Sequence, residues 1–265
     1  MYLNYWKLKD KPFENTPNPR FLYHSSKHDE AFVRLVYAIN SLKGAAMLSG
    51  DYGCGKTLLM HTLIQQLPAD KFNIAYLTNP RWSAIELIKE ILYQLKVETS
   101  STDRADLLHQ LYDYLIETFG QGKHTIVIID EAQSIEQMET LEELRMLLNF
   151  QFNDRFLLTL LLIGQPELKE MVRNIPQLDQ RIAVRYHLKK FNSGETKDYI
   201  YYRLQVAGNK YRLFSDQAIQ QIYEYSDGTP RKINNICDLS LLLGFGQRVN
   251  QIQTEHIRSI INSES

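Results

Sequence analysis

The chain is predicted to be an α/β protein: a five-stranded parallel sheet sandwiched by helices, followed by a small all-helical second domain. Three observations predict it. Short apolar runs that read as strands alternate with helical repeats from Ala45 to Leu188, the pattern of parallel strands joined by helical crossovers. The run His124-Thr125-Ile126-Val127-Ile128-Ile129 carries four β-branched apolar residues in succession, as a strand covered on both faces does. From Asn192 onward the strand signals stop and only helical periodicity remains. The expected domains are therefore residues 1–191 and 192–265.

Taken in order, residues 1–24 are dense in rings and prolines: Tyr2, Tyr5, Trp6, Pro12, Phe13, Pro17, Pro19, Phe21 and Tyr23. Prolines at that density argue against a helix beyond the first few residues. The rings either staple a loop to the core or help to wall an adenine pocket. A helix over about 27–42 would put Ala31, Phe32, Leu35, Val36 and Ile39 on one face. Ala45-Ala46-Met47-Leu48 is long enough for one buried strand. Helical spacing of Leu58, Leu59, Leu63, Ile64 and Leu67 then runs to Pro68. A second strand covers 72–78 and ends in Asn79-Pro80. Amphipathic helices follow on Ile85, Leu87, Ile88, Ile91, Leu92 and Leu95, and on Leu107, Leu108, Leu111, Leu115, Ile116 and Phe119, with a polar patch at 98–103 between them. After the strand at 124–129, a helix is expected from Met138 to Phe150. A buried strand then runs from Phe156 to Ile163 and a last one from Ile182 to Leu188. Helices at about 194–207, 215–225, 231–244 and 254–262 make up the second domain. The third opens on Gly228-Thr229-Pro230-Arg231-Lys232, with proline at the position helices favour for it.

Composition narrows the class. The chain has 265 residues, 44% hydrophobic and 23% charged, as in ordinary soluble proteins. A formal net charge of −1 gives no overall electrostatic footprint for nucleic acid. The longest apolar run, Phe156 to Ile163, is too short to cross a bilayer. Met1-Tyr2-Leu3-Asn4-Tyr5-Trp6-Lys7 lacks the apolar core of a signal peptide. Two cysteines do not make a disulfide framework. A reduced, cytoplasmic protein is expected.

Two stretches carry chemistry. Gly50-Asp51-Tyr52-Gly53-Cys54-Gly55-Lys56-Thr57 fits G-x-x-x-x-G-K-[ST] and lies between a strand and a helix, as a phosphate cradle requires. Its glycines permit backbone angles that side chains obstruct. Successive N–H groups, continuing to Leu58, can then face the phosphates with the helix N-terminus behind them. Lys56 would reach the β- and γ-phosphates of ATP, and the Thr57 hydroxyl would bind Mg²⁺. Cys54, near a helix N-terminus, is expected to be a reactive thiol. The second stretch is Asp130-Glu131, at the C-terminal end of the 124–129 strand, where open parallel sheets place ligand groups. Asp130 would hold Mg²⁺, and Glu131 would orient and polarise the attacking water. Gln165, at the tip of the next strand, offers an uncharged amide to the phosphate or the water.

Five strands alternating with helices and followed by a helical lid resemble an AAA+ ATPase over nearly the whole chain. The phrases Tyr2-Leu3-Asn4-Tyr5-Trp6, Lys11-Pro12-Phe13, Pro17-Asn18-Pro19-Arg20-Phe21-Leu22-Tyr23 and Gly164-Gln165-Pro166-Glu167-Leu168 resemble the family of general secretion pathway protein A, also called ExeA-like. The resemblance implies that Gln165 is the sensor-1 residue, Arg181 the arginine finger with Arg185 as its rival, and Arg231 the sensor-2 arginine. Asn79 would be the polar switch that restrains Glu131. It also implies assembly into a ring or filament with ATP between subunits. Transposition ATPases of the TnsC/TniB type share this core. Secretion members commonly continue into a membrane span and a peptidoglycan-binding domain, and this sequence stops after the lid.

Three functions follow as expectations. The first is an Mg-ATP hydrolase that drives or times assembly of a partner machine of the secretion or pilus type. The second is an ATP-gated DNA-binding regulator that recruits a transposase, with Lys169, Arg173, Lys189 and Lys190 as a candidate basic stripe. The third, a scaffold without turnover, is disfavoured by an intact Glu131.

Overall fold

The structure, a computed structural model, describes residues 2–78 and 80–264. Its contacts group into two units. One holds Asp29–Asp51 and Thr62–Leu188; the other holds the chain up to His28, Tyr52–His61 and everything from Lys189 onward. This grouping differs from the sequence-based boundary at 191/192, because the first residues of the chain cluster with the helical C-terminal part.

The first unit is built on five strands: β1 (Ala45–Gly50), β2 (Phe72–Leu77), β3 (His124–Ile129), β4 (Leu158–Gly164) and β5 (Ile182–Leu188). All pair in parallel, in the order β2-β3-β4-β1-β5. Every residue of β1, β3 and β4 is buried, which explains why these strands read as unbroken apolar runs rather than alternating ones. The register pairs Ser49 with Gly164 and Ile129 with Leu162. The C-terminal ends of β1, β3 and β4 therefore share one edge of the sheet.

Helices α1 (Ser26–Asn40) and α2 (Lys56–Gln66) each run from one unit into the other. Within the sheet unit lie α3 (Ala84–Gln94), α4 (Arg104–Gly120), α5 (Met138–Leu147), α6 (Glu167–Arg173) and α7 (Pro176–Asp179). Leu87, Ile88, Ile91 and Leu92 of α3 and Leu107, Leu111 and Leu115 of α4 are fully buried with Leu77, Val127 and Ile129. Both helices start on side-chain caps. Ser83 and Glu86 form a capping box, and the Asp103 carboxylate accepts from the N–H groups of Ala105 and Asp106. These caps satisfy donors that a helix start leaves unpaired.

Two expected boundaries shift. The strand expected from Phe156 begins at Leu158, because Arg155–Phe156 pairs antiparallel with Gln151–Phe152 across a turn at Asn153 and Asp154, both left-handed. The helix expected to reach Phe150 ends at Leu147, just ahead of that hairpin. The buried His124 at the start of β3 contacts Thr159 Oγ1 through Nε2 at 2.8 Å. The Thr159 hydroxyl already donates to the Lys43 carbonyl, so Nε2 carries the proton and Nδ1 is bare. Burial pushes the His124 pKa down to about 4.

The second unit contains α8 (Ser193–Val206), α9 (Asp216–Ser226), α10 (Pro230–Gln247) and α11 (Thr254–Glu264), with a one-turn helix at Tyr2–Tyr5. Trp6, Phe13 and Phe21 lie in the same buried cluster as Phe214, Ile233 and Leu241. The Trp6 indole N–H donates to the Leu241 carbonyl at 2.8 Å. Arg203, only 4% exposed, donates to the carbonyls of Pro12 and Glu14 and to the Tyr199 hydroxyl, with its guanidinium over the Phe21 ring. A buried cation is tolerable only when its donors are spent in this way. The aromatic N-terminal segment is thus a staple on the helical unit. Among the described residues no helix is long and apolar enough to cross a membrane.

Candidate functional site

Within the sheet unit, the carboxylates sit where the sequence predicts. The Asp130 N–H donates to the Leu77 carbonyl at 2.8 Å, extending the β2–β3 ladder by one bond. Its side chain is 3% exposed. Oδ1 accepts from the Glu131 N–H at 2.9 Å and Oδ2 from the Tyr76 hydroxyl at 2.9 Å. Burial first, and then the Asp130 charge, push the Tyr76 pKa far up. Tyr76 therefore stays a donor and orients the carboxylate.

Glu131 is left-handed, at φ 54 and ψ 38, a conformation that costs a non-glycine residue about 1 kcal/mol or more. The turn is worth that cost because it brings the half-buried carboxylate back to two amides. Gln133 Nε2 donates to Glu131 Oε2 at 2.6 Å, and Gln165 Nε2 reaches the same oxygen at 3.3 Å. The Gln133 carbonyl oxygen in turn accepts the Gln165 backbone N–H at 2.9 Å. A Cβ at residue 164 would come within 2.5 Å of that Gln133 oxygen and 2.9 Å of Leu168, so any larger residue there must displace the Gln133 amide.

Arg181 donates to the Asn149 side chain at 2.7 Å through Nη2, while its buried Nη1 has no partner. Arg185 is tied to Asp179, through the carboxylate at 2.8 Å and through the main-chain carbonyl. Of the two rivals, Arg185 is the more fully engaged. Asn79 lies outside the described residues.

The phosphate loop leaves the sheet at Gly50-Asp51, on the edge that also carries Asp130, Glu131 and Gln165. Gly50 is a strand residue whose glycine requirement is space, since a Cβ would lie 2.8 Å from the Leu188 carbonyl oxygen. The loop's remaining residues, Tyr52 to Leu58, belong to the second unit. Gly53 and Gly55 have φ of +80 and +95, angles at which glycine is unstrained. Lys56 begins α2 and is 5% exposed, and Thr57 follows it. Cys54 is 1% exposed, which corrects the expectation of a reactive thiol: an alkylating reagent has no open path to it.

Arg231 meets this loop within the second unit. Its backbone N–H, an end donor of α10 that no turn of the helix can satisfy, donates to the Gly53 carbonyl at 3.2 Å. Its guanidinium lies 4.9 Å from the Tyr52 ring centroid and donates to the Tyr52 hydroxyl. A Cβ at residue 53 would come within 2.8 Å of the Arg231 Cβ. The pairing of Gly53 with Thr229 and Arg231 is thus a close backbone fit.

Sequence reasoning missed three residues that touch these groups: Tyr76, Gln133 and His28. Tyr76 is a half-buried position of β2, and Gln133 lies two residues past Glu131 in a 3-10 turn, so only the closeness of Gln133 to the motif offered a signal. His28 is buried and contacts the Cys54 carbonyl at 3.1 Å.

The arrangement suits the phosphates of a nucleotide. Positive-φ glycines open a cradle ahead of a helix N-terminus, with a buried lysine and a hydroxyl beside it. Among the described residues no group of three or more His, Cys, Asp or Glu forms a metal cage.

Comparisons with known proteins agree. The AAA_22 model, an AAA domain, matches residues 39–172. General secretion pathway protein A of Aeromonas hydrophila is 37% identical over 255 residues, covering 95% of this chain. The chain spans 46% of that protein's length. Among solved structures, the Aeropyrum pernix ORC2 protein, in ADPNP-ADP complexes, superposes with a TM-score of 0.72 at 19% identity, over 96% of this chain and 72% of that one. Drosophila ORC bound to DNA gives 0.73 at 16% identity, over 98% and 65%. These two establish the fold. The matched region takes in β1 to β4, the glycine loop, Asp130-Glu131 and Gln165, and stops short of Arg181 and Arg231; across that half of its length the chain belongs to the AAA domain family, the P-loop ATPases of AAA+ type.

Proposed function

We propose that the chain binds ATP with Mg²⁺ and hydrolyses it to ADP and phosphate. The observation that carries this reading is Glu131: an ionisable carboxylate beside the buried Asp130, oriented by the amides of Gln133 and Gln165. A protein that only bound nucleotide would have no use for an oriented base at the strand end. Lys56 and the loop N–H groups would hold the phosphates, and Thr57 and Asp130 would hold the metal, which when bound would draw charge from the phosphate oxygens. Glu131 orients water and takes its proton as the bond to the γ-phosphorus forms and the bridge to the β-phosphate breaks. Gln165 donates to the phosphate or the water, and Arg231 and Arg181 supply positive charge to the transition state. Steady-state phosphate release by wild type against Glu131→Gln tests this. Turnover that survives in Glu131→Gln overturns it.

The similarity to General secretion pathway protein A supports a further reading, in which the ATP cycle drives or times assembly of a secretion- or pilus-type machine by a ring or filament of this chain. The DNA-binding alternative has less support, because Lys190 of the basic stripe is paired with Asp227 at 2.9 Å. DNA binding with an ATP analogue and with ADP, across salt concentrations, separates the two. A steep slope present only with the analogue moves the assignment to DNA.

A further inference from the structure

His28 lies on the third residue of α1, outside every motif, and is 3% exposed. Its ring Nε2 is 3.1 Å from the carbonyl oxygen of Cys54, inside the phosphate loop. A carbonyl can only accept, so Nε2 carries a proton and donates. On the other side of the ring, Nδ1 is 2.8 Å from Ser25 Oγ, which also accepts the His28 backbone N–H at 3.3 Å. Ser25 therefore holds the ring while capping the start of the helix. The ring also packs against Phe191 at 5.4 Å between centroids. The same Nε2 would lie 3.4 Å from a Cβ at residue 55, so the imidazole sits in van der Waals contact with the loop's backbone.

A trans peptide is planar, and its C=O and N–H point in opposite directions; none of the described bonds is cis. Fixing the Cys54 carbonyl toward His28 therefore turns the Gly55 N–H the other way. The neighbouring peptide is fixed likewise, since the Gly53 carbonyl accepts the Arg231 N–H, which turns the Cys54 N–H away from α10. Two successive loop carbonyls are thus held by donors from outside the loop. Glycine at 53 and 55 makes these peptides free to flip, so outside donors are what select one orientation.

The geometry points to His28 as a positioning residue of the phosphate cradle: its Nε2–H holds the Cys54 carbonyl outward so that the Gly55 N–H is already aimed at the nucleotide's phosphates before binding. This rests on the reading of the chain as an ATP-binding protein. Pre-aligned N–H groups bind an anion without the cost of ordering the loop. Loss of the donor should be felt by phosphates and not by the nucleoside.

The test compares wild type with His28→Leu, His28→Gln and His28→Asn by calorimetric titration with ADP, ATP and adenosine, each variant first checked for folding by circular dichroism. Glutamine places an amide N–H close to where Nε2 stands; asparagine is too short. His28→Gln should bind ADP and ATP within about threefold of wild type. His28→Leu and His28→Asn should lose about tenfold, the size of one hydrogen bond and its ordering, with adenosine affinity unchanged. If His28→Leu does not fold, the Gln and Asn pair decides. Equal affinity in all variants overturns the inference about His28 alone, as does an equal loss in His28→Gln and His28→Asn. A wild type that binds neither ADP nor ATP overturns the ATP reading itself.

Discussion

The side-chain amide of Gln133 donates to Glu131 Oε2 at 2.6 Å. That bond, with the left-handed backbone of Glu131, decides where its carboxylate points. The Gln133 side-chain oxygen also accepts the Gln165 backbone N–H, so Glu131 just past β3, Gln133 in the turn and Gln165 just past β4 are joined in one hydrogen-bonded cluster. Gln133→Ala should leave ATP binding and KM within about twofold of wild type and lower kcat between about tenfold and a hundredfold, the penalty for a misplaced reacting group. Steady-state kinetics with a separate binding titration read the split. A change confined to KM would show that Gln133 serves binding rather than orientation.

The two motif residues should separate in the opposite sense. Lys56→Ala removes the main cation from the phosphates and should abolish detectable ATP binding. Glu131→Gln should bind ATP normally and turn over at least about a thousandfold more slowly, because it keeps the shape and loses the proton acceptor. Filter binding and phosphate release on the same preparations give the comparison. Matching losses of affinity in both variants would refute these roles.

What was legible in the sequence is what is local. The glycine loop and Asp130-Glu131 each occupy a few consecutive residues, and the buried strands β1, β3 and β4 announce themselves as apolar runs because both faces are covered. Tyr76 was not legible as a partner of Asp130, since 54 residues separate them and only the β2–β3 pairing joins them. His28 was not legible as a partner of Cys54 either, since 26 residues separate them. The N-terminal rings could be recognised as packing residues but not placed. Their partners, such as Leu241 and Arg203, lie some 190 to 235 residues further on, and no periodicity carries that information.

His124 gives a pH dependence of stability. Its folded-state pKa is pushed down to about 4 from the ordinary 6.5, by burial, and the bare Nδ1 has no acceptor for a second proton. As pH falls below 6.5 the unfolded chain takes up a proton that the folded chain refuses. This group therefore leaves stability unaffected above about pH 6.5, lowers it progressively below that, and levels off near pH 4 at a loss of about 3 kcal/mol. His124→Gln retains a donor to Thr159 and cannot titrate. Urea unfolding at about pH 7.5, 6 and 5 should show a smaller decline in the variant. Identical declines in both proteins would show that other groups set the slope.

Arg181 tests the assembly as well as the residue. Its Nη2 is held by Asn149, an exposed and uncharged partner, while Arg185 is anchored to Asp179 by charge and by the main chain. An amide is the weaker hold, so Arg181 is the guanidinium that can leave its place at lower cost. A finger of this kind is worth roughly 10³–10⁵ in rate in related phosphoryl-transfer systems, whereas a surface contact contributes at most about 1 kcal/mol to stability. If Arg181 acts on a neighbour's nucleotide, Arg181→Ala should bind ATP within about threefold of wild type and turn over at least about a hundredfold more slowly. Mixing it with the inactive Glu131→Gln should then restore activity, because an intact Glu131 on one subunit can meet an intact Arg181 from the next. Turnover measured across mixing ratios should peak near equal amounts, at concentrations where light scattering confirms that the two variants assemble together. Co-assembly with no recovery at any ratio would remove Arg181 from the neighbour's site and leave Asn149 as its purpose.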